Sequence, residues 1–285
     1  MAEILDGKKV SEQILQNIKK EVSILTIKPK LAVILVGNNP ASQIYVKIKQ
    51  KCAISLGFES VDFKYPENTA EDEILNKIKE LNEDKTVNAI LVQLPLPKSI
   101  DTAKIINVID PKKDVDGFHP ENVGKLTSNQ KPYAIACTAR GILALLDYYK
   151  IDVEGKNVTV IGRSNIVGTP VARLLQNKNA TVTVCHSKTV DIKEHTINAD
   201  IIVCAIGQPK FLKTDMVKNG AIIVDVGINR VDTDNSDYKL IGDTDYENLF
   251  DKVSYITPVP KGVGPMTIAG LMLNTLDLYK MQNNI

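Results

Sequence analysis

Short apolar, β-branched runs alternate along this chain with longer stretches in which apolar residues recur at helical spacing. Leu31–Val36, Ala89–Gln93, Val158–Ile161, Thr181–Cys185, Ile201–Ala205 and Ala221–Val226 are nearly continuous in such residues, and Ser60–Tyr65 adds a weaker run. Continuous runs predict strands buried on both faces, which suit a parallel sheet better than a half-wet antiparallel one. The helical stretches are Val10–Leu25, Ser42–Leu56, Ala70–Leu81, Gly141–Tyr149, Thr169–Gln176 and Ile268–Lys280. Strand–helix alternation on this scale predicts an α/β fold with helices on both sheet faces.

The pattern divides near Cys137, and after Gly155 a new strand–turn–helix unit opens as a Rossmann-type domain would. At 285 residues the chain has room for two domains. A formal net charge of +1 supplies no general pull toward nucleic acid or an anionic membrane. No apolar run approaches the roughly eighteen residues a membrane span needs, and the N-terminus lacks the apolar core of a signal peptide. The four cysteines are far apart, which predicts reduced thiols rather than a disulfide framework or a zinc site. We therefore expect a cytoplasmic protein with no nucleic-acid or membrane partner and no bound metal.

Val158–Ile161 leads into Gly162-Arg163-Ser164-Asn165-Ile166-Val167-Gly168 and then into a helix. Such a turn offers backbone N–H groups and the positive end of a helix dipole to a phosphate. The usual dinucleotide fingerprint has glycine at the middle position, where this chain has Ser164. The turn alone therefore also fits a tight strand-to-helix connection without a ligand. The next strand ends in His186-Ser187-Lys188, where an NAD enzyme carries an acid for the ribose 2′-hydroxyl. No acid stands there. Arg163, Ser187 and Lys188 can instead hold a 2′-phosphate through charge-assisted hydrogen bonds, so NADP is expected over NAD. The strand ends Ala205-Ile206-Gly207 and Asp225-Val226-Gly227-Ile228-Asn229 would face the same crevice, or would simply turn.

In the first half, Leu31–Val36 ends in Gly37-Asn38-Asn39-Pro40, and a helix starts near Ser42. Tyr45 and Lys49, four apart, share one face of it, with Ser42 one turn earlier. A lysine beside a tyrosine near a strand's carboxyl end can move protons, although the same residues also describe a solvated basic face. Gln93, polar at the end of an apolar strand, either bonds a ligand or completes a core network. The run Lys113-Asp114-Val115-Asp116-Gly117-Phe118-His119 brings two carboxylates into one turn. An ionised aspartate can accept paired hydrogen bonds from the N–H and amino edge of a ring such as a pterin. Asp114 reads better as an Asx turn ahead of Gly117, and His119 lacks a partner at metal-ligand spacing.

Together these segments resemble the bifunctional methylenetetrahydrofolate dehydrogenase/methenyltetrahydrofolate cyclohydrolase (FolD) family. The matching runs are Val36–Val46 with Lys49 and Lys51, Gln93-Leu94-Pro95-Leu96-Pro97, Lys113–Pro120, Gly162–Gly168, Thr257–Pro260 and Gly262–Thr267. The resemblance implies an NADP-dependent oxidation of methylenetetrahydrofolate and hydrolysis of the methenyl product in one cleft. It makes Lys49 the catalytic lysine, packs Tyr45 on the folate, has Gln93 orient the lysine and gives Asp116 the pterin. Ser42, Gly264 and Pro265 fall at substrate positions, and Gly162, Arg163, Ser164, Ser187 and Ile228 at cofactor positions. It further implies a homodimer of two-domain subunits: a catalytic folate domain over residues 1–137, completed by a terminal helix over 266–285, and a Rossmann domain over 138–265.

Two positions depart from the family pattern. Alanines 136 and 139 stand where prolines usually flank Cys137-Thr138, and Thr138 is placed to N-cap a helix over Gly141–Tyr149. Lys261 replaces the first glycine of a pair; a cation there attracts the carboxylates of a folate glutamate tail, or is merely solvated. Rival readings are a dehydrogenase without cyclohydrolase activity and a non-catalytic NADP-binding regulatory protein.

Overall fold

A computed structural model describes residues 1–232 and 238–285. The chain begins with strand β1 (Glu3–Ile4), helix α1 (Gly7–Ser23), β2 (Lys30–Val36), α2 (Pro40–Ser55), β3 (Glu59–Tyr65), α3 (Glu71–Glu83) and β4 (Ala89–Val92). Helices α4 (Thr102–Val108), α5 (Pro120–Thr127) and α6 (Cys137–Tyr148) follow, then β5 (Asn157–Ile161), α7 (Gly168–Asn177), β6 (Thr181–Cys185) and α8 (Ile192–Thr196). The remainder is β7 (Ile201–Cys204), β8 (Ile222–Asp225), β9 (Asn229–Asp232), β10 (Tyr238–Ile241), α9 (Tyr246–Leu249), β11 (Tyr255–Ile256) and α10 (Val263–Asn283). The chain folds as two compact units, one of Met1–Glu12 with Thr138–Thr267, the other of Gln13–Cys137 with Ile268–Ile285.

The Gln13–Cys137 unit is built on a three-stranded parallel sheet in the order β3-β2-β4. Residues alternate across β2: Leu31, Val33 and Leu35 enter a core with Val46 of α2 and Leu271 of α10, while Ala32, Ile34 and Val36 meet Ile74 and Ile78 of α3. Both faces are dry, which is why this strand reads as an unbroken apolar run. Beyond β4 the chain returns alongside it: Ile90 donates to the Lys113 carbonyl at 2.7 Å, and Ile90 bridges Asp114 in parallel. This lays the Asp116 turn at the carboxyl edge, next to the end of β4.

The Thr138–Thr267 unit carries a six-stranded parallel sheet in the order β1-β11-β8-β7-β5-β6. The strand order reverses at β5, so the glycine turn after it lies at the topological switch point where such sheets take their ligands. Residues 1–12, grouped by the sequence reading with the folate half, belong here because β1 pairs with β11. Those two-residue strands are too short to show a period. The antiparallel arm of β9 and β10 was likewise not expected. At the sheet's edge, β6 exposes Thr181, Thr183 and Val184, against the expectation of a strand buried on both faces.

Helices α1, α2, α6, α7 and α10 start earlier than their periodicity suggests. Helix α2 begins with Pro40 in its first turn, and the Asn39 side chain accepts from Ser42 N at 3.1 Å. Helix α6 begins at Cys137, so Thr138 is inside its first turn rather than its cap, with its hydroxyl 3.1 Å from that of Thr267. Helix α10 begins at Val263; Pro265 fits because first-turn N–H groups have no partner inside the helix.

Lys261, just before α10, has φ +84°. Left-handed backbone costs a side-chain-bearing residue roughly 1–2 kcal/mol, while glycine costs about 0.5–1 kcal/mol in unfolded-chain entropy. Lys261→Gly is therefore expected to raise stability by about 0.5–1 kcal/mol, read as a higher urea midpoint at unchanged slope. A lowered midpoint would mean that the lysine side chain holds this loop.

Candidate active site

In the Gln13–Cys137 unit, helix α2 and the ends of β4 and the 113–116 turn converge. Lys49 Nζ donates to Gln93 Oε1 at 3.0 Å, and Gln93 Nε2 donates to the Leu94 carbonyl at 2.6 Å. With both ends of its amide occupied, Gln93 presents a fixed acceptor to the lysine. Ser42 is buried one turn before Tyr45, whereas Tyr45 is 43% exposed. Burial pushes the Asp116 carboxyl above the usual carboxylate range, and the Lys49 charge and the Cys137 thiol draw it back. Cys137 Sγ lies 3.6 Å from Asp116 Oδ1.

Asp114 is the structural member of its pair. It is buried, accepts from Gly117 N and His119 N at 3.1 and 2.8 Å, and takes a third bond from Asn122 Nδ2 at 3.0 Å. Burial pushes its carboxyl up to about 6. His119 caps α5, its Nδ1 accepting from Glu121 N at 3.1 Å. Among the described residues no group of three or more His, Cys, Asp or Glu side chains stands together to hold a metal ion.

In the Thr138–Thr267 unit, the turn after β5 is shaped for close approach. Gly162 has φ +118°, and a Cβ on it would collide with the Ala205 carbonyl oxygen; a Cβ on Gly168 would collide with the Gly162 carbonyl. Ser164 Oγ accepts from Val167 N at 3.2 Å and so covers part of the α7 N-terminus. Arg163 and Ser187 are exposed, on loops joined by the bond from Gly162 N to the Cys185 carbonyl at 2.8 Å. Ile228 is 47% exposed and lies beside Gly264, where an added Cβ would sit 3.7 Å from its Cδ1; Pro265 follows in the same helical turn.

Profiles of the tetrahydrofolate dehydrogenase/cyclohydrolase family match residues 5–116 as its catalytic domain and 136–283 as its NAD(P)-binding domain. The chain belongs to this family. It is 53% identical over 282 residues to a bifunctional protein FolD from Sulfurihydrogenibium sp. (strain YO3AOP1), covering 97% of each chain. The crystal structure of FolD methylenetetrahydrofolate dehydrogenase/cyclohydrolase from Campylobacter jejuni superposes with TM-score 0.95 at 47% identity over the whole of both chains. FolD from Trypanosoma brucei, in complex with NADP cofactor and inhibitor, gives TM-score 0.95 at 38% identity, covering 100% of this chain and 99% of that one.

Two groups in this family member escape a sequence reading. Asn274, fully buried on α10, donates to the carbonyls of Val115 and Ile135 at 2.7 Å each and lies 3.5 Å from Cys137 Sγ, tying the residue before Asp116 to the 135–137 segment. Cys137, read from sequence as one of four unremarkable thiols, touches that same aspartate. Nothing in the spacing of residues so far apart announces either contact. The glycine turn gives a further test. Gly162→Ala must displace Ala205 and hold alanine at strained φ, so stability should fall by at least about 2 kcal/mol and NADP binding with it. Thermal unfolding and a cofactor titration check both, and unchanged values would show that the turn can relax.

Proposed function

We propose that this chain oxidises 5,10-methylenetetrahydrofolate with NADP and hydrolyses the resulting 5,10-methenyltetrahydrofolate to 10-formyltetrahydrofolate. The observation that carries the reading is the Lys49–Gln93 bond beside Asp116, in a chain of this family. NADP, when bound, accepts the hydride from the folate methylene carbon. The glycine cradle at residues 162–168 fits a pyrophosphate, and exposed Arg163 and Ser187 fit a 2′-phosphate.

The roles proposed for the chain's own residues follow from chemistry. Asp116, as a carboxylate, accepts two hydrogen bonds from the pterin edge. Tyr45 packs on the ring system between pterin and glutamate, Ser42 supports that turn of α2, and Gly264 and Pro265 leave room for substrate. The oxidised product is a cation, and its charge disfavours a second positive charge on a neighbouring amine. Neutral Lys49 then takes a proton from water as the water oxygen bonds to the methenyl carbon. The adduct's hydroxyl loses its remaining proton to solvent as its oxygen becomes the formyl carbonyl, while the lysine's proton passes to N5 as the carbon–N5 bond breaks, leaving the formyl group on N10. Gln93 aims the amine throughout.

The finer parts of this reading are a homodimer and a cytoplasmic location; no helix among the described residues is long and apolar enough to cross a membrane. The test of bifunctionality is hydrolysis of methenyltetrahydrofolate without any dinucleotide. Catalysed decay supports the reading. NADP reduction without such decay would leave a dehydrogenase alone, and binding without either reaction a regulatory protein.

A further inference from the structure

The loops after β7 and β8 are tied together by one buried carboxylate. Asp243 has no exposed surface; its Oδ2 accepts from Ile206 N and Gly207 N at 2.8 and 3.0 Å, and its Oδ1 accepts from Asn229 Nδ2 at 2.9 Å. A second acid fixes Asp243 in turn. Asp225 Oδ1 accepts from Asp243 N and Gly227 N at 2.9 and 3.0 Å, and its Oδ2 from Thr244 N and Oγ1 at 2.9 and 2.7 Å. The surroundings leave no slack: a Cβ on Gly227 would collide with the Asp243 carboxylate, and one on Gly242 with that of Asp225.

Buried carboxylates are costly unless their oxygens are bonded, and apolar packing would fill this space with no such cost. What the acids add is direction, since five of these bonds come from peptide N–H groups and two from side chains of the same loops. The groups so held, the N–H of Ile206, Gly207 and Gly227 and the side chain of Asn229, lie at the strand ends that border the dinucleotide crevice of a parallel sheet. Ala205 also backs the Gly162 turn directly.

We propose that Asp243 is a positioning residue for the dinucleotide, holding the 206–207 and 228–229 loops in their binding form without touching the cofactor. This rests on the cofactor reading above. Loops released from the carboxylate must be ordered on binding, which weakens affinity without regard to the 2′-phosphate.

The experiment titrates NADP and NAD into the full chain as wild type, Asp243→Ala, Asp243→Asn and Asn229→Ala, and measures dinucleotide-free hydrolysis on the same samples. Asp243→Ala should weaken both dinucleotides by the same factor, about tenfold to a hundredfold for bonds to a charged group. Hydrolysis should stay within about twofold, since Lys49, Gln93 and Asp116 belong to the Gln13–Cys137 unit and share no hydrogen bond with Asp243. Asp243→Asn should recover much of the loss, because its amide oxygen can accept from Ile206 and Gly207 while its nitrogen donates to a flipped Asn229. Should Asp243→Ala not fold, Asn229→Ala still reads one arm and should weaken both dinucleotides severalfold. Wild-type affinity in the folded variants, or hydrolysis falling in step with affinity, overturns the proposal. Failure of the wild type itself to bind NADP overturns the cofactor reading instead.

Discussion

Lys49→Met is expected to lower hydrolysis of methenyltetrahydrofolate by about 10²–10⁴-fold, the range for a positioned proton-transfer group, while leaving NADP affinity nearly unchanged. The substitution keeps an unbranched side chain of similar reach on α2 and removes the amine that donates to Gln93 Oε1. The neighbouring charge balance shifts too, because Asp116 loses the cation that holds its carboxyl down against burial. Folate KM should therefore rise with the loss of turnover, as a less ionised Asp116 accepts poorly from the pterin edge. Retention of more than about a tenth of wild-type hydrolysis would be far too much for this role and would remove Lys49 from the chemistry. A matching loss of NADP affinity would point instead to a general structural defect.

Arg163→Ala combined with Ser187→Ala should weaken NADP much more than NAD. Charge-assisted contacts to a 2′-phosphate are each worth roughly 1.5–3 kcal/mol, about tenfold to a hundredfold, and only NADP carries that group. Both side chains are exposed, and among the described residues Arg163 has no ion-pair partner, so its removal strands no buried group. Stability should consequently change little, which makes the ratio of the two affinities a direct reading of the 2′-phosphate contact. Equal losses for both dinucleotides would put the 2′-phosphate elsewhere on the loops.

Much of the architecture was legible because the physics that builds it is local or periodic. Residues 31–36 are apolar without interruption because alternate side chains enter two cores, and a parallel strand with helices on both faces demands that. The glycine turn was legible because a strand, glycines at fixed offsets and a helix occur within a dozen or so residues. What was hidden depends on contacts between distant segments. The two-residue pairing of β1 with β11 carries the first twelve residues into the unit formed by 138–267, and no period is visible in two residues. The bonds from Asn274 to the 115 and 135 carbonyls span more than a hundred residues, and Asp243 reaches back to 206 and 207. The expected starts of α2 and α10 were late by two and five residues because a cap and first-turn prolines, not apolar spacing, mark them. Taken alone, Tyr45 and Lys49 read better as a solvated face; only the family resemblance made Lys49 catalytic, and its bond to Gln93 depends on a residue 44 positions away.

A single lysine site that lets one chain carry out both steps leaves a signature in the products. Wild type and Lys49→Met are each mixed with methylenetetrahydrofolate and NADP, and NADPH, methenyltetrahydrofolate and 10-formyltetrahydrofolate are followed together. Wild type should form NADPH and 10-formyltetrahydrofolate in step, and Lys49→Met should yield no 10-formyltetrahydrofolate above the uncatalysed rate, so that any NADPH it forms is matched by accumulating methenyltetrahydrofolate. Catalysed formation of 10-formyltetrahydrofolate by Lys49→Met at the wild-type rate, or wild-type NADPH formation with methenyltetrahydrofolate as the final product, would contradict a single lysine site for both steps.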